Sequence, residues 1–146
     1  HKRMEEIMTD LTFMNKFNPK ERCIKEFKYW IICIRGKQTT LGSVVLLLKR
    51  ETQSLANLLP EESKEFPEVV KWYENKCKQK FGAVKFNYIM MMMHDHFVHY
   101  HAFPRYAKSM NLFNITWEDK NTLTNFSQGE ELSEEILIKI KDYMKD

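Results

Sequence analysis

The stretch that most constrains the fold is a continuous apolar run, SVVLLLK, at residues 43–49. The run has the length of a strand and follows the turn-like segment GKQTTLGS at residues 36–43. Because successive side chains of a strand point to opposite faces, an unbroken apolar run must be covered on both faces. The run therefore predicts the central strand of a sheet.

Further strands are predicted on both sides of this run. CIKEFKYWIICIRG at 23–36 is rich in β-branched and aromatic residues and predicts two short strands or one bent strand. VKFNYIMMMM at 84–93 predicts another strand, whose methionines fill core on one face and could line a pocket or a dimer seam on the other, and the histidine-rich segment at 94–106 predicts a further strand. Polar residues 108–132 predict a long loop.

Helical signals separate these groups of strands. Apolar spacing predicts a helix over about 4–17 that ends near Pro19, a second helix that Pro60 begins, and a last helix with Ser133 as N-cap. Strands clustered in pairs, with one helix between the groups, favour an α+β domain with a largely antiparallel sheet. We expect one domain over 1–146, made of an N-terminal helix (1–20), a core (23–106) and a C-terminal loop and helix (107–146).

The composition limits the classes of protein to which this chain can belong. The net charge of +3, spread along the chain, weakly favours an anionic ligand and gives no reason to expect nucleic acid or a membrane as partner. Cys23, Cys33 and Cys77 are widely spaced, as is typical of reduced core thiols in a cytoplasmic protein. No apolar stretch approaches the roughly 20 residues of a membrane helix, and the start does not resemble a signal peptide.

Four of the five histidines lie within residues 94–101. On a strand, His99 and His101 would share one face with Phe97 and Phe103. Three interpretations remain open at this point. The imidazoles are partly buried polar groups, or with Asp95 they bind a metal ion, or one of them is a nucleophile with Arg105 close to a phosphate.

A resemblance to a known family favours the third of these interpretations, a nucleophilic histidine. HFVHYHAFPRY at 96–106 resembles the signature of the histidine-triad (HIT) family, three alternating histidines followed by Pro-Arg. TLGSVVLLLKRETQSLANLLPEE at 40–62 also resembles the family, and KFNYIMMMMHDHFVHYHAFPRY at 85–106 is similar to a bacterial-type, diadenosine polyphosphate hydrolase-like subgroup. The resemblance implies an α+β, HIT-like fold, a five-stranded antiparallel sheet with two main helices plus N- and C-terminal helical segments, and a homodimer.

The resemblance also implies an activity. It is cleavage at the α-phosphorus of a nucleoside polyphosphate or phosphoramidate through a nucleotidyl-histidine. By position, His99 is the nucleophile, and His101 holds an α-phosphate oxygen or assists the leaving group. Arg105 or Lys37 would balance phosphate charge, and the further nucleotide- or phosphate-binding candidates are Asn87, Arg35, His94 and His96. The implied partner is a small nucleotide, with no required cofactor and no protein-bound metal, although a divalent ion could accompany a substrate polyphosphate.

Two departures from the family pattern leave an alternative open. Phe97 occupies the position of the first triad histidine, so that backbone or another side chain, such as His94 or His96, must orient His99. MMMMHD at 90–95 stands where most members have a Gly-rich phosphate loop. The alternative function is a nucleotide-binding regulatory protein with little or no turnover, and a metal-binding protein is a third hypothesis.

Overall fold

The structure, a computed structural model, describes residues 16–120 and 127–146. The strands and helices of this part, in chain order, are α1 (Pro19–Arg22), β1 (Cys23–Glu26), β2 (Trp30–Ile34), β3 (Val44–Leu48), α2 (Pro60–Phe81), β4 (Lys85–Ile89), β5 (His99–Arg105), β6 (Met110–Leu112), β7 (Ile115–Trp117) and α3 (Glu134–Lys145). Strands β1 to β5 form an antiparallel five-stranded sheet in the order β1-β2-β3-β5-β4. The predicted HIT-like sheet is therefore present.

Strand β3 lies at the centre of the sheet, and all of its residues are buried, as the apolar run predicts. The segment before it forms two strands rather than one bent strand, with Phe27 N–H donating to the carbonyl of Trp30 across the turn (2.8 Å). Both β2 and β3 are buried on both faces, so each side of the sheet has a cover.

Helix α2 covers one face of the sheet. Its buried apolar residues follow a four-residue spacing, Val69, Tyr73, Cys77 and Phe81, and they pack against even-numbered residues of β2 and β3 in the main core. Helix α3, with Ser133 as the predicted N-cap, completes this cover with Leu137, Ile140 and Met144. The odd-numbered residues of β2 and β3 face the other way and form a second apolar cluster, Ile31, Cys33, Val45 and Leu47.

Two predictions about strands are wrong. Strand β4 ends at Ile89, and the methionine run that follows is irregular, with Met92 at a positive φ of 52°. That conformation interrupts an extended backbone. Met90 and Met92 pack against the main core as predicted for one face of the run, whereas Met91 and Met93 are 68% and 70% exposed. The segment 94–97 is likewise irregular, and β5 begins only at His99.

The predicted loop over 108–132 contains the hairpin β6–β7. Its two-residue turn, Phe113 and Asn114, has φ values of 57° and 60°, the left-handed pair that suits a tight hairpin. The predicted helix over 4–17 lies, apart from its last two residues, outside the described residues, and Pro19 begins α1.

The three cysteines are free thiols, two of them buried, and burial raises the pKa of Cys33 to about 12. Over residues 16–120 and 127–146, no helix combines the length and the apolar character needed to cross a membrane.

Candidate functional site

An open cleft of about 950 Å³ lies on the side of the sheet opposite α2. Its floor is the β5 face that carries His99, His101 and Phe103, and its rim comes from loops that follow β2 and β4. The lining is Lys16, Phe17, Arg22, Ile34, Arg35, Gly36, Lys37, Val45, Ile89, Met91, Met92, Met93, His94, Asp95, His99, His101, Phe103, Gln128 and Glu131. The alternation of β5 thus brings both matched triad histidines to one cavity.

His99 is held by the backbone of Phe97, the residue at the position that the resemblance assigns to the first triad histidine. Its Nδ1 lies 2.7 Å from the carbonyl oxygen of Phe97. Because a carbonyl oxygen can only accept, Nδ1 carries the proton and the lone pair of the neutral ring lies on Nε2. Phe97 therefore orients His99 although its own side chain cannot form a hydrogen bond.

His101 is the neighbour of His99 on the floor of the cleft. The two ring centroids are 5.1 Å apart, with an angle of 82° between the ring planes. Arg35 donates from Nε to Nδ1 of His101 over 3.1 Å. Burial, then the positive charge of Arg35, then His99 lower the pKa of His101 to about 4. His101 is therefore neutral near pH 7 and carries its proton on Nε2.

The lining of the cleft includes four lysine and arginine side chains, Lys16, Arg22, Arg35 and Lys37. Arg35 follows β2, stacks over the ring of Phe103 at 5.2 Å, and has its pKa lowered by burial. Within the described ranges, the ion pairs include no carboxylate partner for Arg35 or Lys37. The other two basic side chains of the lining pair with carboxylates, Lys16 with Asp95 and Arg22 with Glu131 and Glu134.

The predicted phosphate-binding residues divide into two groups. Arg35, Lys37 and His94 line the cleft with the two triad positions. Arg105 and Asn87 lie elsewhere in the described chain, where Arg105 donates to Asp119 (2.7 Å) and to Asn87 Oδ1 (3.0 Å). His96 is exposed and is also absent from the lining described above.

Sequence reasoning missed the contact of Arg35 with His101, and the contributions of Phe17 and Gln128 to the cleft. Strand parity contained a signal for the first, because residue 35 continues the alternation of Ile31 and Cys33 toward the cleft face. Phe17 and Gln128 reach the cleft only through tertiary packing, which no local pattern encodes.

The hypothesis of a metal-binding protein receives no support from the geometry. Residues 16–120 and 127–146 contain no group of three or more His, Cys, Asp or Glu side chains that could hold a metal ion.

Phe17 partly covers His99, and removing it is expected to expose the imidazole. The two ring centroids are 5.6 Å apart, and His99 is 2% exposed. We expect Phe17→Ala to increase the rate of His99 carbethoxylation by diethyl pyrocarbonate several-fold, measured by peptide mass spectrometry. Phe27→Ala, which removes an equally half-buried ring from the main core, should leave that rate near the wild-type value. Equal rates in both variants would contradict the role of Phe17 as a cover.

Comparison with known proteins identifies the fold. No protein-family model and no curated protein matches the sequence. Solved structures do match. One is the C. elegans NitFhit protein, with a TM-score of 0.65 and 15% identity over 86% of this chain, which spans only 27% of that protein. Another is a histidine triad nucleotide-binding protein of Sulfolobus tokodaii, with a TM-score of 0.64 and 16% identity over 92% of this chain and 91% of that one.

A third similar structure is the diadenosine triphosphate hydrolase of Plasmodium falciparum, with a TM-score of 0.63 and 14% identity over 86% of this chain and 75% of that one. At these identities, the likeness concerns the arrangement of the backbone. Together with the observed sheet, it establishes that the chain has the histidine-triad (HIT) fold.

Proposed function

We propose that this chain is a nucleotide hydrolase or transferase of the histidine-triad family, which cleaves at the α-phosphorus of a nucleoside polyphosphate or phosphoramidate. The observation that carries the proposal is the state of His99. It lies on the floor of an open cleft with Nδ1–H bound to the Phe97 carbonyl, so that its nucleophilic lone pair is on Nε2. The hydrolase among the similar structures supports the same substrate class.

In the proposed first step, Nε2 of His99 attacks the α-phosphorus and a phosphorus–nitrogen bond forms. The bond from phosphorus to the leaving oxygen or nitrogen breaks, and the leaving group takes the bonding pair. A leaving phosphate departs as an anion, a leaving amine takes a proton from solvent, and the water that attacks in the second step returns a proton to solvent. Water then attacks the nucleotidyl-histidine, which releases a nucleoside monophosphate and regenerates His99. His101, neutral and protonated on Nε2, is suited to donate a hydrogen bond to a non-bridging oxygen or to the leaving atom.

In this proposal, the charge of the substrate phosphates is matched directly by Lys37, while Arg35 adds positive potential without a direct phosphate contact. Both line the cleft, and no carboxylate of the described chain neutralises either of them. In a partly buried site, such charges attract an anion more strongly than in open water. Arg105, which donates to Asp119 and Asn87, is a weaker candidate for this role.

A trapping experiment tests the covalent step. The protein is incubated with an adenosine phosphoramidate, and separately with a dinucleoside polyphosphate, each labelled in its α-phosphate, and is then denatured rapidly at alkaline pH. We expect label on the peptide that contains His99, lost in acid, as is characteristic of a phosphorus–nitrogen bond. Release of labelled monophosphate without any labelled protein, under conditions in which a burst is resolved, would contradict a covalent intermediate.

A second candidate function is a nucleotide-binding regulatory protein with little or no turnover. It is favoured by the cover over His99, which leaves 2% of the residue exposed, and by the methionine-rich segment in place of a Gly-rich phosphate loop. This function predicts tight binding of a nucleoside monophosphate in calorimetry together with the absence of both label and product.

We also propose that the protein acts as a homodimer, as the resemblance implies. Strand β4 lies at the edge of the sheet, where its outer backbone groups could pair with another strand. Sedimentation equilibrium should give a mass twice the 17.7 kDa of the chain, and a mass of one chain at all concentrations would contradict the dimer.

A further inference from the structure

We propose that Arg35 is a positioning residue that holds His101 in one tautomer, with Nδ1 as acceptor and the proton on Nε2, rather than a ligand of the substrate phosphate. The inference deepens the proposed function and relies on it for its catalytic consequence. The hydrogen bond from Arg35 to His101, on which the inference depends, is present in the protein without substrate. The implied role of Arg35 as a nucleotide-binding residue is thereby replaced with a more specific one.

The donors of Arg35 are almost all committed to the protein. Nε donates to His101 Nδ1 (3.1 Å) and Nη2 to Gln128 Oε1 (2.6 Å). Nη1 donates to Thr39 Oγ1 (2.8 Å) and to the carbonyl of Lys37 (3.2 Å). A guanidinium has five N–H groups, so these four bonds leave one for any ligand. A bidentate grip on a phosphate would require Arg35 to give up contacts that it already makes.

These contacts fix the position of Arg35 from several directions. Thr39 and Lys37 belong to the turn between β2 and β3, Gln128 precedes α3, and Phe103 lies beneath the guanidinium on β5. A planar guanidinium held at its outer nitrogens presents Nε in a single direction. The bond to His101 is therefore a consequence of a rigid arrangement and does not depend on a ligand.

Protonation of His101 would conflict with this arrangement. An imidazolium donates from both nitrogens, so its Nδ1–H would face the Nε–H of Arg35, with no acceptor between them. The charged and titratable groups around His101 are Arg35 after β2, His99 on β5, Asp95 before β5, and Lys16 from the N-terminal segment. Of these, only Asp95 is acidic, and Lys16 already pairs with it at 2.8 Å.

The catalytic consequence concerns the donor on His101. A neutral ring whose Nδ1 is occupied by Arg35 keeps a hydrogen on Nε2 and offers it to the reacting phosphate in every molecule. A ring free to exchange tautomers would offer a lone pair there in part of the population, and a lone pair repels a phosphate oxygen. Arg35 therefore acts on the rate of the chemical step through His101.

The direct test is nitrogen-15 NMR of the unmodified chain, with histidine labelled in both ring nitrogens. We expect His101 to show an unprotonated Nδ1 and a protonated Nε2 that stay unchanged from pH 8 to pH 5. A titration midpoint near the ordinary histidine value of about 6.5, or a mixture of tautomers, would overturn the inference. This measurement requires neither a variant nor turnover, so it decides the inference even if the proposed enzymatic activity is absent.

Variants separate the effect of charge from that of the hydrogen bond. In Arg35→Gln, we expect the midpoint of His101 to rise by about one unit, because a neighbouring positive charge is removed. In Arg35→Lys, the charge remains while the planar donor is lost, so the midpoint should stay low while both tautomers appear. Lys71→Gln, on the exposed side of α2, removes one positive charge far from the cleft and should change neither property.

Kinetics of the same variants provides the second measurement. We expect Arg35→Gln and Arg35→Lys to lower kcat by roughly tenfold with a much smaller change in KM, since the loss is one of orientation. A raised KM in Arg35→Gln that Arg35→Lys restores, with the nitrogen spectrum of His101 unaltered, would identify Arg35 as a phosphate ligand and would overturn the proposal.

Discussion

Replacement of His99 with alanine is expected to lower turnover by roughly a thousandfold or more, the scale seen when an enzyme loses its nucleophile. The physical reason is that the neighbouring imidazole on the floor of the cleft is in a different hydrogen-bonded state. His101, 5.1 Å away, has its Nδ1 occupied by Arg35 and its proton on Nε2, so it cannot attack without losing that proton. The measurement is single-turnover release of a nucleoside monophosphate from a labelled phosphoramidate.

Two companion variants make the result interpretable. His99→Gln keeps much of the side-chain volume beneath Phe17, so equal losses in His99→Gln and His99→Ala would exclude collapse of the floor as the cause. Tyr100→Phe changes the next residue of β5, which faces Trp30 and Phe66 in the main core, and should retain a near-normal rate. A His99→Ala protein that keeps most of its activity would remove His99 from the nucleophilic role.

The largest expected effect on stability comes from Arg50→Met, which should lower the free energy of unfolding at pH 7 by clearly more than removal of an exposed ion-pair partner does. Arg50 donates to both carboxylate oxygens of Glu62, at 2.9 and 2.8 Å, and Glu62 is 1% exposed. Without Arg50, that carboxylate remains buried with the N–H of Leu59 as its main hydrogen-bond donor. Urea unfolding followed by circular dichroism measures the loss, and the neighbouring Lys49→Met, which removes an exposed pair with Glu26, should cost less than about 1 kcal/mol.

The loss of stability in Arg50→Met is expected to become smaller as the pH falls. The hydrogen bond from Arg50 is the main cause that lowers the pKa of Glu62. A carboxyl whose pKa is lowered in the folded protein contributes stability above its unfolded pKa, and this contribution is lost as the pH falls through the folded value. The unfolded chains bind the Glu62 proton alike, so the difference between wild type and Arg50→Met should shrink as the pH falls and Glu62 becomes protonated in the folded proteins, first in the variant, whose carboxyl has lost the hydrogen bond that lowers its pKa. A difference that is constant from pH 7 to pH 3 would show that Glu62 is not the source of the loss.

The parts of the fold that the sequence predicts are those that depend on local periodicity. The central strand follows from an unbroken apolar run, and α2 follows from Pro60 and a four-residue apolar spacing. Two of the segments that were mispredicted contain residues at positive φ. These residues are Met92, Phe113 and Asn114, and the first two are residue types that carry little local signal for that conformation.

The positions of the two histidines of the site were also predictable from the sequence, but the hydrogen-bond partners in and around the site were not. Strand parity places His99 and His101 on one face, and the structure finds them together in the cleft. The hydrogen bond from His99 to the carbonyl of Phe97 was beyond prediction, because a backbone acceptor leaves no trace in the residue type. The separation of Arg105 from the cleft depends on Asp119, fourteen positions further along the chain, and no local pattern reports such a partner.

The alternating side chains of strand β5 belong to two different regions, because Tyr100 and Ala102 pack in the main core whereas His99 and His101 line the cleft. An odd number of residues inserted or deleted within it would exchange the two sets, placing imidazoles under α2 and apolar groups in the cavity. Indels in this strand should therefore be tolerated only in even steps. The main core and the cleft therefore form together, so that a stably folded chain already has its histidines on the floor of the cleft.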